Sequence, residues 1–311
     1  MKIVVTPRGF AKCGLDNVKK IESAGFLVEY NDTGNAYTKE EFYEKTNDAD
    51  GVIVGVESVD KAYIDAHPTV KAVVKFGVGT DNIDVEYCRE KGVFVGRTVG
   101  SNARSVAETA ISFLFADSKN LYESIADTRQ HKWSKQTGYE LENKTIGIVG
   151  FGAIGKKVAQ IAFGLGMRVL AYDPYAIDRE AAQAFNVGVV DFEEILKRSD
   201  FVSLHMPLTA ETKNFVTLTE MNKMKPSAVL INTARGGIVN EADLFAALTN
   251  NVIRAAYFDV MVSEPPAKDE PLLDLPNFYL TPHIASRSKE AEKNTADMAT
   301  QIMIDALKKQ N

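Results

Sequence analysis

The sequence predicts an α/β chain built from two doubly wound parallel-sheet domains. Three observations point there. Short apolar runs alternate with helical patterns through the first hundred residues, a second alternation runs from residue 144 to the C-terminus, and a strand–glycine turn–helix–strand block, Lys144–Asp173, opens that second half. The 311 residues are too many for one ordinary small core and enough for two domains.

In the first half the predicted order starts with the strand Ile3–Thr6 and a helix Leu15–Ala24 closed by Gly25. The strand Phe26–Tyr30 follows, then a helix Lys39–Thr46 behind a Thr38 cap, the strand Gly51–Gly55 and the helix Lys61–Ala66. The strand Val70–Phe76, the helix Val85–Lys91 and the strand Val93–Thr98 complete it. These strands are short and apolar on both faces, as in a parallel sheet covered by helices on both sides. After the fourth strand, Gly77-Val78-Gly79 lies where such sheets bind ligands, and the two glycines let successive N–H groups turn toward one point as a small anion nest. Lys75 adds a positive charge beside it.

Gly100-Ser101-Asn102 then opens a long helix, Ala103 to Leu121, read as the crossing between domains. The following stretch, Tyr122–Leu141, is polar and holds His131 and the only tryptophan, Trp133. It is either an arm wrapping a partner subunit or a surface helix and loop folded back on its own domain.

The block Lys144–Asp173 carries the first chemistry. A strand, Lys144–Val149, meets Gly150-Phe151-Gly152-Ala153-Ile154-Gly155, and Val158, Ile161, Ala162 and Leu165 then recur on one helix face. A β-branched run ends in Asp173. In this order Gly150 allows the tight turn, Gly152 lets a pyrophosphate approach bare backbone, and Gly155 lets helix and strand pack closely. The helix N-terminus offers free N–H groups and a partial positive charge to phosphate. Asp173 stands where a carboxylate accepts hydrogen bonds from the adenosine ribose, which favours NAD because a 2′-phosphate would meet a like charge.

Beyond it the alternation resumes with the helix Phe192–Lys197, the strand Phe201–His205 running into Met206-Pro207, and the helix Thr219–Met224. The strand Ala228–Thr233 leads into Ala234-Arg235-Gly236-Gly237, and an Asn240-capped helix Glu241–Leu248 precedes the strand Ile253–Asp259. The last strand, Asn277–Thr281, ends at Pro282-His283. The tail Lys289–Lys309 reads as a helix with Ala291, Ala296, Met298, Ile302, Ile304 and Ala306 toward a core, returning to the first domain. The expected division is therefore 1–99 with 287–311 as a discontinuous substrate domain, and 100–286 as the nucleotide domain.

With 45% hydrophobic and 25% charged residues the chain belongs with globular proteins, and no run is long enough to cross a bilayer. The start shows no signal-peptide pattern, and two cysteines, Cys13 and Cys88, suit structural thiols in a reducing compartment, so a cytoplasmic location is expected. Two cysteines alone make no zinc site, and no metal is expected. A net charge of −6 argues against a nucleic-acid partner, so an anionic ligand would need locally focused cations.

Three polar residues stand at or just beyond successive strand ends: Arg235, Glu264 and His283. Strand ends of one doubly wound sheet line one crevice, so the three can converge. Arginine grips a carboxylate through two parallel hydrogen bonds, histidine exchanges a proton near neutral pH, and a carboxylate orients an imidazole and favours its protonated form. His205, at a strand end inside the nucleotide domain, is placed toward the cofactor with Met206 and Pro207.

Over essentially its whole length the chain resembles the D-isomer-specific 2-hydroxyacid dehydrogenases, and most of all the short members similar to D-3-phosphoglycerate dehydrogenase. The resemblance is carried by Gly77-Val-Gly-Thr-Asp-Asn-Ile-Asp84, Ser105-Val-Ala-Glu108, Gly150-Phe-Gly-Ala-Ile-Gly155 and Leu204-His-Met-Pro-Leu-Thr209. Ile231-Asn-Thr-Ala-Arg-Gly-Gly237, Asp259-Val260 with Glu264-Pro-Pro266, and Thr281-Pro-His-Ile-Ala285 complete it. It implies a Rossmann NAD-binding domain inserted in a flavodoxin-like substrate domain, a homodimer, and hydride transfer between nicotinamide and C2 of a D-2-hydroxy acid or 2-keto acid. It also implies that the two domains close over the cleft. Arg235 would bind the carboxylate and keto oxygen, His283 would exchange the proton, and Glu264 would hold His283. The Gly77-Val78-Gly79 backbone would receive the carboxylate. Asp259 would anchor the nicotinamide carboxamide, with Thr233, Ala234 and His283–Ala285 beside that ring.

Two departures from the family pattern stand out: Arg97-Thr98-Val99-Gly100 replaces the commoner Asn-Thr-Pro-Gly, and Lys75 replaces an arginine. Lys75 and Arg97 together are expected to serve a second anionic group on the substrate. The expected chain end also leaves out the regulatory domain of longer phosphoglycerate dehydrogenases, and with it serine feedback. Phosphoglycerate oxidation competes here with reduction of hydroxypyruvate, glyoxylate or branched 2-keto acids. Formate oxidation is disfavoured, because glutamine is usual there where Glu264 stands. From another class, a dinucleotide-sensing corepressor-like scaffold retains the same three residue types.

Overall fold

The computed structural model describes residues 1–175 and 177–310. Its contacts divide the chain into two units, Met1–Asn102 with Ser286–Asn311, and Ala103–Ala285.

The first unit is a five-stranded sheet of β1 (Lys2–Val5), β2 (Leu27–Tyr30), β3 (Gly51–Val54), β4 (Ala72–Lys75) and β5 (Phe94–Arg97) in the order β2-β1-β3-β4-β5. Every pairing is parallel, which makes this the 2-1-3-4-5 order of flavodoxin-like sheets. Side-chain alternation explains the unbroken apolar strands. Ile3, Val5, Ile53 and Val74 enter one buried cluster, while Val4, Val52, Val54 and Val73 enter another on the opposite face. The C-terminal helix Lys289–Lys308 covers the first face with Met303 and Leu307, and it lies so close that a Cβ on Gly51 would sit 2.5 Å from the Met303 sulfur. The Ser101 and Thr295 hydroxyls, 2.8 Å apart and buried, fasten it to the end of the sheet segment. Met298 is only half-buried, so it sits beside the expected core stripe.

The second unit is a seven-stranded sheet: β6 (Thr145–Val149), β7 (Arg168–Tyr172), β8 (Gly188–Val189), β9 (Phe201–Leu204), β10 (Val229–Asn232), β11 (Ala255–Phe258) and β12 (Phe278–Leu280). The order β12-β11-β10-β9-β6-β7-β8 is again all parallel, and counted from β6 it is the Rossmann order extended by one strand. All seven strands therefore present their carboxyl ends along one edge. A half-buried charge cluster around the buried Asp117 ties the unit together far from that edge. Arg254 forks onto Asp117 at 2.6 and 2.7 Å, and the Tyr139 hydroxyl also bonds to Asp117.

The helix expected from Ala103 to Leu121 stops at Ser118, and a separate helix, Leu121–Arg129, opens the stretch that follows. Asn120 takes the left-handed conformation at φ 49°, and the Ser118 carbonyl accepts the Tyr139 N–H at 2.8 Å, which ends the first helix there. A short helix Arg179–Ala184 and the two-residue β8 escape the sequence reading, since neither is long enough to show a period. Among the described residues no helix is long and apolar enough to cross a membrane.

Candidate active site

The glycine turn after β6 shows three different reasons for three glycines. Gly150 has φ +95° and packs so tightly that a Cβ would lie 2.6 Å from the His205 carbonyl oxygen. A Cβ on Gly155 would lie 2.2 Å from the Gly150 carbonyl oxygen, so the helix Ala153–Gly164 can approach the turn only without one. A Cβ on Gly152 would meet nothing within 4 Å. Gly152 caps that 12-residue helix without any side-chain hydrogen bond, and Gly152 and Ala153 are exposed. Bare, uncapped N–H groups with open space above them are what a pyrophosphate requires. Ile154 is half-buried against the core and Phe151 is buried within it.

Around this turn the ends of neighbouring strands carry unsatisfied polar atoms. The Thr233 hydroxyl after β10 and His205 Nδ1 after β9 are buried without a partner among the described residues. The His205 Nε2 pairs with the Ser203 hydroxyl at 2.8 Å, and burial pushes the imidazole down to about 3, so it is neutral at physiological pH. Asp173, after β7, already accepts the Phe151 N–H at 2.7 Å and the Tyr175 N–H at 2.9 Å, one on each oxygen. Each oxygen keeps one lone pair for a ribose hydroxyl. The Met206 and Ala234 side chains belong to the buried core, which leaves only their backbones to a ligand, while Pro207 is exposed. These residues fit a dinucleotide.

The three polar residues expected at strand ends leave the same edge. His283 Nδ1 and Glu264 Oε2 are 2.6 Å apart, and the other Glu264 oxygen accepts the Met261 N–H at 3.0 Å. Arg235 follows β10. Asn232 fixes its loop by donating to the Arg235 carbonyl at 2.9 Å and accepting the Ala234 N–H at 3.0 Å, and the guanidinium donates to the Ala234 carbonyl at 2.7 Å. The next residue, Gly236, packs on the Glu264 loop, where a Cβ would fall 2.0 Å from the Met261 carbonyl carbon. The arginine loop and the histidine–glutamate pair are thereby neighbours. The imidazole is 46% exposed and the carboxylate 38%, so the pair faces solvent and is open to a ligand.

The sequence model for the D-isomer specific 2-hydroxyacid dehydrogenase NAD binding domain matches residues 111–285, the stretch that carries all of these strand ends. The chain belongs to this family. It is 38% identical to the D-3-phosphoglycerate dehydrogenase of Methanocaldococcus jannaschii over 89% of this chain and 53% of that protein. It is 37% identical to the glyoxylate reductase of Thermococcus litoralis over 84% of this chain and 81% of that one. The D-lactate dehydrogenase of Lactobacillus jensenii, solved with NAD+, superposes with a TM-score of 0.81 at 29% identity, covering 98% of this chain and 96% of that one. The chain spans about half the length of the phosphoglycerate dehydrogenases it matches.

In this 2-hydroxyacid dehydrogenase family member several supporting residues were not legible in sequence. Asp259, expected only beside a ligand, is 1% exposed and accepts hydrogen bonds from Thr281, Ile284 and Ala285. Ser105 donates to the Ala285 carbonyl at 2.7 Å. Glu241 accepts the Val262 N–H at 2.7 Å, and its burial pushes the carboxyl up. The first two lie inside family motifs, but nothing in their spacing announces a bond across 22 or 180 residues.

The remaining expected site residues lie in the first unit. Gly77 has φ +150°, and its carbonyl accepts both the N–H and the hydroxyl of Thr98, at 2.9 and 3.0 Å. Among the described residues no acceptor takes the Val78 or Gly79 N–H. The Lys75 ammonium donates to the Gly55 carbonyl and to Asn82, both at 2.5 Å. Lys75 and Arg97 are register partners in β4 and β5, which puts both side chains on one sheet face at the carboxyl edge.

Proposed function

We propose that this chain is an NAD-dependent dehydrogenase that moves hydride between nicotinamide and C2 of a D-2-hydroxy acid or its 2-keto partner. The observation that carries the reading is the 2.6 Å His283–Glu264 pair on the carboxyl edge of a sheet whose first turn suits a dinucleotide. When bound, NAD supplies the hydride exchange itself. For reduction, His283 gives its Nε2 proton to the keto oxygen, and for oxidation it takes the hydroxyl proton. Glu264 holds the ring through Nδ1, which leaves Nε2 for the substrate. Arg235 grips the carboxylate and keto oxygen, and the backbone of Gly77, Val78 and Gly79 receives the carboxylate. His205, Thr233, Ala234, Asp259 and Ala285 line the nicotinamide side, and Asp173 takes the adenosine ribose.

The substrate proposed first is D-3-phosphoglycerate with its keto partner, because Lys75 and Arg97 share one sheet face and suit a second anionic group. Reduction of glyoxylate or hydroxypyruvate is the second reading. It is favoured by the match to the glyoxylate reductase, which covers 81% of that protein against 53% of the phosphoglycerate dehydrogenase. A homodimer is inferred from the apolar surface of the helix Leu121–Arg129 and the segment after it, where Leu121, Tyr122, Ile125 and Trp133 are exposed. A cytoplasmic location agrees with the two free cysteines.

The test is NADH consumption with a panel of 2-keto acids that includes 3-phosphohydroxypyruvate, hydroxypyruvate and glyoxylate, repeated with His283→Ala. The variant should lose roughly 10²–10⁴-fold in turnover while still binding NADH. Tight NADH binding with no turnover of any keto acid would favour the sensing scaffold, and undiminished turnover in the variant would remove His283 from the mechanism.

A further inference from the structure

His283 adopts φ +51°, a left-handed backbone that a non-glycine residue holds only where its surroundings impose it. The surroundings are the end of β11. The His283 N–H donates to the Asp259 carbonyl at 3.0 Å. The Asp259 carboxylate takes the donors on either side of it. Oδ1 accepts the Thr281 hydroxyl at 2.5 Å and the Ile284 N–H at 2.8 Å, and Oδ2 accepts the Ala285 N–H at 2.8 Å. Both lone pairs of Oδ1 are thereby committed, and Oδ2 keeps one. The carboxylate is 1% exposed, so these bonds form in a low-dielectric setting where each counts for more than in water. Ser105 then secures the far end of the loop through the Ala285 carbonyl.

Among the described residues the imidazole has one tether of its own, the exposed Glu264 carboxylate. A single side-chain tether fixes a distance but not a direction, so the direction of Nε2 comes from the backbone. We propose that Thr281 and Asp259 are positioning residues for His283: their half-buried hydrogen bond locks the loop Thr281–Ala285 in the left-handed form that aims Nε2 at the substrate. This rests on the reading of His283 as the proton-transfer group. It gives Thr281, whose hydroxyl is turned to the Asp259 carboxylate, a role in the rate. It also gives Asp259 a structural task beside its remaining free lone pair.

Thr281→Val keeps the β-branched shape and deletes the hydroxyl, whereas Thr281→Ser keeps the hydroxyl. Three quantities are measured for each: kcat/KM for keto-acid reduction across pH, NADH affinity by fluorescence, and the imidazole ¹⁵N shifts of His283. Thr281→Val should lower kcat/KM by roughly 10- to 100-fold, since a misplacement near 1 Å costs about 10²-fold. NADH affinity should stay within about threefold, as the variant removes no proposed cofactor contact. The pH profile and the His283 shifts should both move, and Thr281→Ser should restore them. A Thr281→Val protein with wild-type rate, profile and shifts overturns the proposal, and so does a loss that serine does not rescue. If the wild-type chain reduces no keto acid, the functional reading fails instead. The His283 shifts of the two variants then decide the positioning role by themselves: movement with valine and recovery with serine support it, and unchanged shifts overturn it.

Discussion

Replacing Gly152 by alanine separates a glycine kept for a ligand from one kept for the fold. The added Cβ meets no atom within 4 Å, and the backbone at φ −77°, ψ −155° is open to alanine. Alanine is a poorer N-cap than glycine by less than about 1 kcal/mol, and the stiffer unfolded chain returns about 0.4–1 kcal/mol. The melting temperature should therefore stay within about 3 °C of wild type. The methyl nonetheless projects into the space through which a pyrophosphate reaches the N–H groups of the helix Ala153–Gly164. Losing one hydrogen bond to a charged partner costs roughly 1.5–3 kcal/mol, so the Kd for NADH should rise about 10- to 150-fold. Gly155→Ala is the control. Its Cβ would lie 2.2 Å from a backbone oxygen, and stability and binding should fall together. The assay is NADH fluorescence titration beside thermal unfolding. Wild-type affinity in Gly152→Ala, or a loss of stability like that of Gly155→Ala, would refute the reasoning.

Asp173→Ala should narrow the preference for NAD over NADP by at least about tenfold in kcat/KM, from loss of like-charge repulsion. If both cofactors weaken equally, Asp173 acts only through its bonds to the Phe151 and Tyr175 N–H groups. His205 makes stability pH-dependent with a definite sign. Its folded ionisation is pushed down to about 3 from 6.5, so between those values the unfolded chain binds a proton that the folded chain refuses. Stability should fall as pH drops through this window, by up to about 1.4 kcal/mol per unit, or about 2 kcal/mol at pH 5 relative to pH 7. His205→Gln should lose that contribution in urea titrations at the two pH values, and an unchanged slope would contradict it. Arg97→Ala should reduce kcat/KM more for substrates with a second anionic group than for those without; an equal loss on both would sink the second-anion idea.

What the sequence determined is local or periodic. Short strands that are apolar on both faces, broken by helical patterns, point to parallel sheets covered on both sides, because each face of such a strand has to be buried. The glycine turn is legible for the same reason, since its three glycines answer constraints within a few residues of one another. The Thr38 and Asn240 caps are equally local, and both helices start where those residues place them. Asn120 shows the limit. The helix expected to reach Leu121 ends at Ser118, whose carbonyl takes the N–H of Tyr139, 21 residues beyond Ser118.

The site divides along the same line. Arg235, Glu264 and His283 stand out in the sequence because their residue types name a chemistry and strand ends of one sheet share an edge. Tertiary structure alone decided what aims them. Asp259 reaches Thr281 across 22 residues, Ser105 reaches Ala285 across 180, and Gly236 sets the arginine loop against Met261. Those pairings depend on which strands become neighbours, and β11 and β12 are joined by a connection with no period to read. A buried carboxylate looks like any other aspartate until the donors around it are in place, since what commits its lone pairs is the packing of the chain and not its order.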